Sequence, residues 1–184
     1  DRKKSGKKTT NRQRTLARKR NNQVNDYMYK TARYIINYCL AHDIGTIVVG
    51  YHEAFQRNSR MGSGNNQNFV NIPFGKLLHK LEYLCEFYGI TFVKQEESYT
   101  SKASFFDQDQ IPVYQKDESS KEEHLPHRFS GRRLKRGLYE TATGLTLNAD
   151  VNGALNILKK SSVVSLTALY SRGEVDTPVR IRVA

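Results

Sequence analysis

Cysteine is scarce in this chain, and the two cysteines present, Cys39 and Cys85, lie inside apolar helical patterns without CxxC spacing. Such residues are typical of small core hydrophobes, so we expect neither a disulfide nor a metal pair, and a reducing compartment. Long apolar runs are missing as well. The longest uncharged one, residues 44–51, is far too short to span a bilayer, and the basic N-terminus lacks the apolar segment of a signal peptide. We therefore expect a cytoplasmic protein without a membrane partner.

Acidic residues are few compared with basic ones. The 184 residues include 30 Lys and Arg against 18 Asp and Glu, which gives a formal net charge of +12. This balance favours a polyanionic partner, nucleic acid first, and a nucleoid-associated location. With 38% hydrophobic residues, the chain can bury one core, so the simplest organisation is a single domain with tails.

The first twenty residues hold ten basic side chains and one acid. This composition predicts a flexible or nucleic-acid-ordered arm over 1–20, with a solvated helix extension as the alternative for 11–20. Counterion release from phosphates is the binding mode expected of its basic residues. The candidate contacts in the arm are Lys3, Lys4, Lys7, Lys8, Arg12 and Arg14.

Helical and strand patterns alternate after the arm. Apolar residues at three- and four-residue spacing predict amphipathic helices over about 22–42 and 73–88. Short apolar runs at 46–50 and 90–95 predict strands, and this order implies right-handed crossovers and a parallel sheet. Residues 51–71 between them predict a long polar loop. Its Asn65 and Asn66 either contact a sugar-phosphate backbone or are simply solvated.

The second half begins with an aperiodic, polar stretch over 98–131, which predicts a long irregular insertion. Residues 137–148 predict a hairpin with TATG as its turn, and 149–160 predict a helix that starts at Asn148 or Asp150. The tail 161–184 has no assignable pattern. A compact basic run before the hairpin offers further candidate phosphate contacts, which are Arg132, Arg133, Lys135 and Arg136.

Three carboxylates are candidates for chemistry. Glu96 and Glu97 come at the carboxyl end of a predicted strand, where ligand sites of parallel sheets lie, and Asp150 opens the last helix. Converging carboxylates repel each other unless a cation lies between them, which suits Mg²⁺ or Mn²⁺ and two-ion phosphodiester cleavage. The alternatives are that Asp150 is only an N-cap and that Glu96 and Glu97 are solvated strand-end charges.

Four ordered segments carry a family resemblance, and these are 65-NNQNFVNIPFGKLL-78, 94-KQEESYTSKASFFD-107, 130-SGRRLKRGLY-139 and 148-NADVNGALNIL-158. They resemble the C-terminal, RuvC-like nuclease part of the OrfB/TnpB proteins of insertion sequences, which are similar to type V CRISPR effectors. The resemblance implies an α/β fold over 21–160, with a ribonuclease H-like mixed sheet flanked by helices. It also implies a transposon-encoded, RNA-guided, metal-dependent DNA endonuclease, with Asp150 as the last acid of the metal site and Asn152 beside it.

Three features depart from the family pattern. Gly50 stands where most members carry a second catalytic glutamate, so we hypothesise that Glu96 or Glu97 has taken over that role. The family's four-cysteine zinc ribbon has no counterpart in 98–131, so we expect no zinc and stabilisation by packing alone. Nothing before Asn22 resembles the N-terminal three-strand meander with its first catalytic aspartate. We therefore expect a C-terminal fragment that is inactive alone and forms a homodimer through an exposed strand 46–50.

A nuclease-dead nucleic-acid-binding protein, such as a transcriptional repressor descended from the same family, is the alternative function. A dead relative would be free to lose its acids. The presence of Glu96, Glu97 and Asp150 therefore favours an active parent protein.

Overall fold

The computed structural model describes residues 9–51, 73–113, 127–172, 175 and 177–183. Its mixed α/β architecture agrees with the predicted class. The chain divides into two compact units, of which the first comprises Asp1–Ile47, Met61–Phe92 and Ile181–Ala184 and the second Val48–Arg60 and Val93–Arg180. In chain order the elements are α1 (Asn11–Ala41), β1 (Thr46–Tyr51), α2 (Phe74–Tyr88), β2 (Thr91–Glu96), β3 (Arg132–Lys135), β4 (Leu138–Glu140), β5 (Thr146–Asn148), α3 (Ala149–Ser161) and α4 (Thr167–Arg172).

Helix α1 begins eleven residues before the predicted start at Asn22. A capping box defines this start, since the Thr10 hydroxyl accepts the Gln13 amide at 3.2 Å and the Gln13 side chain accepts the Thr10 amide at 2.9 Å. Residues 11–20 are thus helical and exposed, which is the solvated extension rather than the flexible arm. Of the candidate arm contacts, Arg12 and Arg14 lie on this helix. Lys3, Lys4, Lys7 and Lys8 are outside the described residues.

The core of the first unit lies between α1 and α2. One face of α1 buries Ala32, Ile36 and Cys39 against Leu84 and Cys85 of α2. Both cysteines are unpaired thiols in this core, as predicted, and burial raises the pKa of each. Helix α2 ends at Gly89, whose φ of +70° is a left-handed conformation that glycine adopts without strain.

The strands form two small sheets in the described part of the chain, not the single mixed sheet that was predicted. In one, β1 is the neighbour of β2, and β1 is only half-buried. In the other, β4 and β5 form the predicted hairpin, antiparallel with Tyr139 opposite Leu147. Strand β3, which the sequence patterns did not indicate, pairs antiparallel with β4. Because β1 has β2 as its one neighbour in this part of the chain, pairing of β1 with a second copy stays a prediction.

The core of the second unit centres on Tyr139. This residue is fully buried and packs in one cluster with the buried residues Leu147 and Ala149. Its hydroxyl donates to the carbonyl of Lys102 at 2.8 Å. Burial, with the nearby carboxylates Asp109 and Asp107, raises the pKa of Tyr139 to about 12, so the ring remains a neutral donor. Across the described ranges, no helix combines the length and apolar character needed to cross a membrane.

Candidate functional site

The start of α3 presents Asp150 to solvent. Asn148 is the N-cap, and its side chain accepts the amides of Asp150 at 2.8 Å and Val151 at 3.1 Å. The interpretation of Asp150 as an N-cap is therefore wrong. Its carboxylate lies in the first helical turn, where the helix dipole favours negative charge, and its side chain is 88% exposed.

The nearest basic partner of Asp150 is Arg133 on β3, at 3.9 Å between Oδ1 and the guanidinium. Both side chains are substantially exposed, and an ion pair of this length in water contributes little to stability. The contact therefore leaves both groups able to exchange partners with a phosphate or a cation.

Two buried asparagines on α3 hold the loop that follows the acids of β2. The Asn152 side chain accepts the Phe105 amide at 3.1 Å and donates to the Ala103 carbonyl at 2.8 Å. One turn later, Asn156 donates to the carbonyls of Thr100 and Ala103. Asn152, which the resemblance placed beside Asp150 in a metal site, thus uses both ends of its amide on backbone groups and positions this loop.

Glu96 is bound within the fold. One carboxylate oxygen accepts the Ser98 amide at 2.6 Å, and the other accepts Lys160, whose side chain is only 6% exposed. The same ammonium donates to the carbonyls of Ser98 and Pro112. Lys160 lies 64 residues from Glu96 in the sequence, so no local signal indicates this pairing.

The Glu96 pair predicts a pH dependence of stability. Burial opposes ionisation, but hydrogen bonds from Lys160 and Ser98 outweigh it and hold the Glu96 pKa below its ordinary value of 4.5. A lowered pKa in the folded state stabilises the protein above that value, and the contribution disappears as pH falls through the folded pKa. We expect Glu96→Gln to lower the free energy of unfolding at neutral pH and to match the unsubstituted protein in acid. Urea unfolding across this range measures it, and a difference independent of pH would contradict it.

The Glu97 carboxylate lies beside Gly50 of β1. A side chain built on Gly50 would overlap the Glu97 carboxylate and the Cδ1 atom of Ile157. The Glu97 carboxylate therefore occupies the space that a side chain at position 50 would need. The relocation of the catalytic glutamate stays a prediction, and Glu97 is the candidate that lies next to Gly50.

Glu97 and Asp150 lie along the same face of α3. Ile157, next to the Glu97 carboxylate, follows Asp150 by seven residues, which is two helical turns or about 10 Å along the axis. Between them, a side chain at Gly153 would meet no atom within 4 Å, so the face is open. The three predicted acids are thus not gathered at one point. No group of three His, Cys, Asp or Glu side chains suited to a metal occurs in the described ranges.

The predicted basic patch is strand β3 and its following turn. All four β3 residues are exposed, as is Arg136. Arg132 is paired with Glu140 at 2.8 Å. A cavity of about 440 Å³ adjoins the patch and adds Lys102 and Phe129, which were not predicted, and its full lining is Ser101, Lys102, Phe129, Gly131, Arg132, Arg133 and Tyr139. Asn65 and Asn66 lie outside the described residues.

The base of the 98–131 insertion is closed by Asp109. Its carboxylate accepts the Ser104 amide at 2.7 Å and both the amide and the hydroxyl of Ser130. The Asp109 carbonyl accepts the ammonium of Lys159. The prediction that packing alone stabilises this insertion is therefore wrong at its base. There, the Asp109 carboxylate connects the segment around Ser104 to Ser130 by hydrogen bonds. Residues 114–126 are outside the described part.

Replacing Asp109 by Ala should destabilise the second unit. The change removes charge-assisted hydrogen bonds at a half-buried site, which corresponds to about 2 kcal/mol. Ser130→Ala, which removes only the hydroxyl donor, should cost about 1 kcal/mol or less. Denaturant unfolding of both variants measures these losses. Equal losses for the two substitutions would contradict the role given to the carboxylate.

Comparison with protein-family models gives two matches. Residues 74–157 match the "Cas12f1-like, TNB domain" family, and residues 1–56 match the OrfB_IS605 family, described as "Probable transposase". A search of curated proteins finds no match.

Among solved structures, the chain is similar to one in a "Cryo-EM structure of the Cas12f1-sgRNA-target DNA complex". The TM-score is 0.51 with 20% sequence identity, over 78% of this chain and 35% of that one. At this identity the likeness concerns the fold alone. The chain spans about a third of the length of that relative.

The two family models, one of a probable transposase and one of a Cas12f1-like domain, match separate parts of the chain, and the fold is similar to that of a chain in a Cas12f1 complex. These matches confirm the resemblance to the OrfB/TnpB proteins of insertion sequences.

Proposed function

We propose that the complete protein is an RNA-guided DNA endonuclease of the TnpB type, encoded by an insertion sequence, and that this chain contributes to its ribonuclease H-like, RuvC-like nuclease domain. The observation that carries the proposal is the exposed Asp150 at the N-terminus of α3, beside the exposed cations of β3. This arrangement brings a carboxylate next to groups that bind phosphate. The two family matches support the same class of protein.

DNA and a guide RNA are the proposed partners, and the β3 cations are the proposed phosphate contacts. Arg133, Lys135 and Arg136 are exposed, whereas Arg132 is partly neutralised by Glu140. Cations of this kind bind phosphates by releasing counterions, without reading sequence. Arg12 and Arg14, on the exposed first turns of α1, are proposed contacts of the same kind.

Mg²⁺ or Mn²⁺ is the proposed cofactor, and Asp150 and Glu97, which lie about two helical turns apart along α3, are proposed to serve separate ions of a two-ion site. Mg²⁺ is commonly bound through one or two carboxylates together with water and substrate phosphate, so one carboxylate for each ion fits this metal. Glu96 does not fit, because Lys160 and Ser98 use both its oxygens. When bound, such an ion would stabilise charge that develops on phosphate oxygens.

A salt titration tests the proposed phosphate contacts. For binding of duplex DNA by this chain, Lys135→Ala combined with Arg136→Ala should reduce the slope of log affinity against log salt by about 2, one for each lost contact. The matched control is Lys76→Ala with Arg180→Ala, two exposed cations that line neither the β3 cavity nor the other proposed binding surface. If the β3 double variant and the control double variant change the slope equally, the cations of β3 are not a specific phosphate-binding surface.

A transcriptional repressor without cleavage is the second candidate. It is favoured by the finding that the described residues contain no group of three metal-binding side chains. A repressor would bind DNA equally well with or without the Asp150 carboxylate. Single-turnover DNA cleavage, measured for the unsubstituted protein and for Asp150→Asn, separates the two functions.

A further inference from the structure

A second basic and aromatic surface lies in the first unit, on the side of α1 that turns away from its core residues. It is a groove of about 470 Å³ between α1 and the segment 182–183. The α1 members recur every three to four residues, so they form one continuous helical face. We call this surface the α1 groove, and its lining is Asp26, Tyr29, Lys30, Arg33, Tyr34, Asn37, Arg182 and Val183.

Two tyrosine rings form the aromatic part of the α1 groove. Tyr29 is 48% exposed and Tyr34 is 38% exposed, so neither ring is used by the core. The ammonium of Lys80 lies 4.7 Å from the centre of the Tyr29 ring, which fixes that ring on one side. Tyrosine presents a flat surface with few rotatable bonds, which suits stacking against a planar ligand.

The cations of the α1 groove are unequally neutralised. Lys30 is paired with Asp26 at 3.1 Å, so this pair adds no net charge. Arg33 instead donates to the hydroxyl of Tyr88 at 2.7 Å, so a hydrogen bond and not an ion pair sets its position. Arg182 adds a second cation from the opposite wall. The groove therefore carries a net positive charge next to two exposed rings.

We propose that the α1 groove binds one nucleotide step of a single-stranded nucleic acid, with a base stacked on Tyr34 and a phosphate held by Arg33 and Arg182. Rings flanked by cations match the alternation of base and phosphate along a single strand. In a duplex the base faces are covered by their neighbours, so only the phosphates would be recognised. Asn37 adds an amide that both donates and accepts, within reach of a base edge. The inference extends the proposed function to a separate surface and does not require cleavage.

The test measures affinity of the whole 184-residue chain for labelled single-stranded RNA, single-stranded DNA of the same sequence, duplex DNA and an acidic peptide. Tyr34→Ala and Arg182→Ala should each raise Kd for at least one single-stranded ligand about tenfold, as expected for loss of one stacked base or one phosphate contact. Tyr34→Phe keeps the ring and should leave Kd within about twofold. The RNA and DNA measurements distinguish the two sources of single strand.

Matched controls are Tyr83→Ala and Arg180→Ala, a 63% exposed tyrosine and an exposed arginine that do not line the groove. Each should change Kd by about twofold or less. The proposal is overturned if Tyr34→Ala binds every ligand as the unsubstituted chain does, if the controls lose as much, or if only duplex or peptide binding falls. Ultraviolet cross-linking should also join the single strand to the peptide that contains Tyr34, and this product should persist in the Lys135→Ala, Arg136→Ala variant. Loss of the β3 interface alone therefore leaves this inference standing.

Discussion

Replacing Asp150 by Asn in the complete protein should reduce the rate of DNA cleavage about a thousandfold. Several kcal/mol of transition-state stabilisation depend on a metal-binding carboxylate, and each 1.36 kcal/mol corresponds to a tenfold change in rate. Asparagine has the same size and removes only the charge. The fold should be unaffected, because Asn148 and not Asp150 caps α3. DNA binding should stay within about twofold, as for an exposed surface substitution. Single-turnover cleavage and equilibrium binding, measured on the same preparation, check both outcomes.

The two glutamates of the EESYTS motif should respond differently in the same assay. Glu97→Gln should lose cleavage as Asp150→Asn does, whereas Glu96→Gln should retain it and lose stability. The reason is that Glu96 is committed to Lys160, while the Glu97 carboxylate reaches the space beside Gly50. Full cleavage by Glu97→Gln would refute the relocated glutamate.

An exchange of residues tests relocation directly. Gly50→Glu alone should destabilise the protein, because the new Cβ atom overlaps the Glu97 carboxylate. Gly50→Glu combined with Glu97→Gly removes that overlap and returns a carboxylate to the same space. Only the end of the flexible Ile157 side chain must then shift. Cleavage recovered in the double variant, relative to Glu97→Gly alone, would establish that position 50 and position 97 supply the same group.

Replacing Lys160 by Met should lower the free energy of unfolding by about 3 kcal/mol, the scale for breaking a buried ion pair, taken at its lower end because Glu96 is one-third exposed. Methionine fills the space of the lysine stem but leaves Glu96 and two carbonyls without their donor. Denaturant unfolding monitored by circular dichroism measures the loss.

The control for this prediction is Lys135→Met, an exposed lysine on β3, which should change stability by about 0.5 kcal/mol or less. The double variant Lys160→Met with Glu96→Gln should recover part of the loss, since it no longer buries an unpaired charge. If the double variant is as unstable as Lys160→Met alone, the loss comes from packing and not from the unpaired Glu96.

Several elements were predictable because their signals are local. The apolar periodicity predicted α2 to within one residue of its start, and the TATG turn between two short strands predicted the β4–β5 hairpin. The early start of α1 also has a local sequence signal, since Thr10 and Gln13 have the spacing of a capping box. Basic residues around this signal led to the prediction of a flexible arm instead.

Other features had no local signal. Strand β3 is a short, fully exposed run of mostly basic residues, and only its pairing with β4 makes it a strand. The Asp109 carboxylate accepts a hydrogen bond from Ser130, which lies 21 residues later in the sequence. No periodicity in the sequence indicates this contact. The α1 groove needs residues 182–183, from the tail that the sequence patterns left unassigned.

The sequence by itself determined the basic character, the order of the main helices and strands, and which carboxylates were candidates, because charge, periodicity and caps act over a few neighbouring residues. Tertiary structure decided their roles. Glu96 is the last residue of β2, and Glu97 follows it directly in the chain. The pairing of Glu96 depends on Lys160, and the position of the Glu97 carboxylate beside Gly50 depends on how β1 and α3 pack in the second unit. Contacts at such separations exist only after folding, so residue types alone did not assign them.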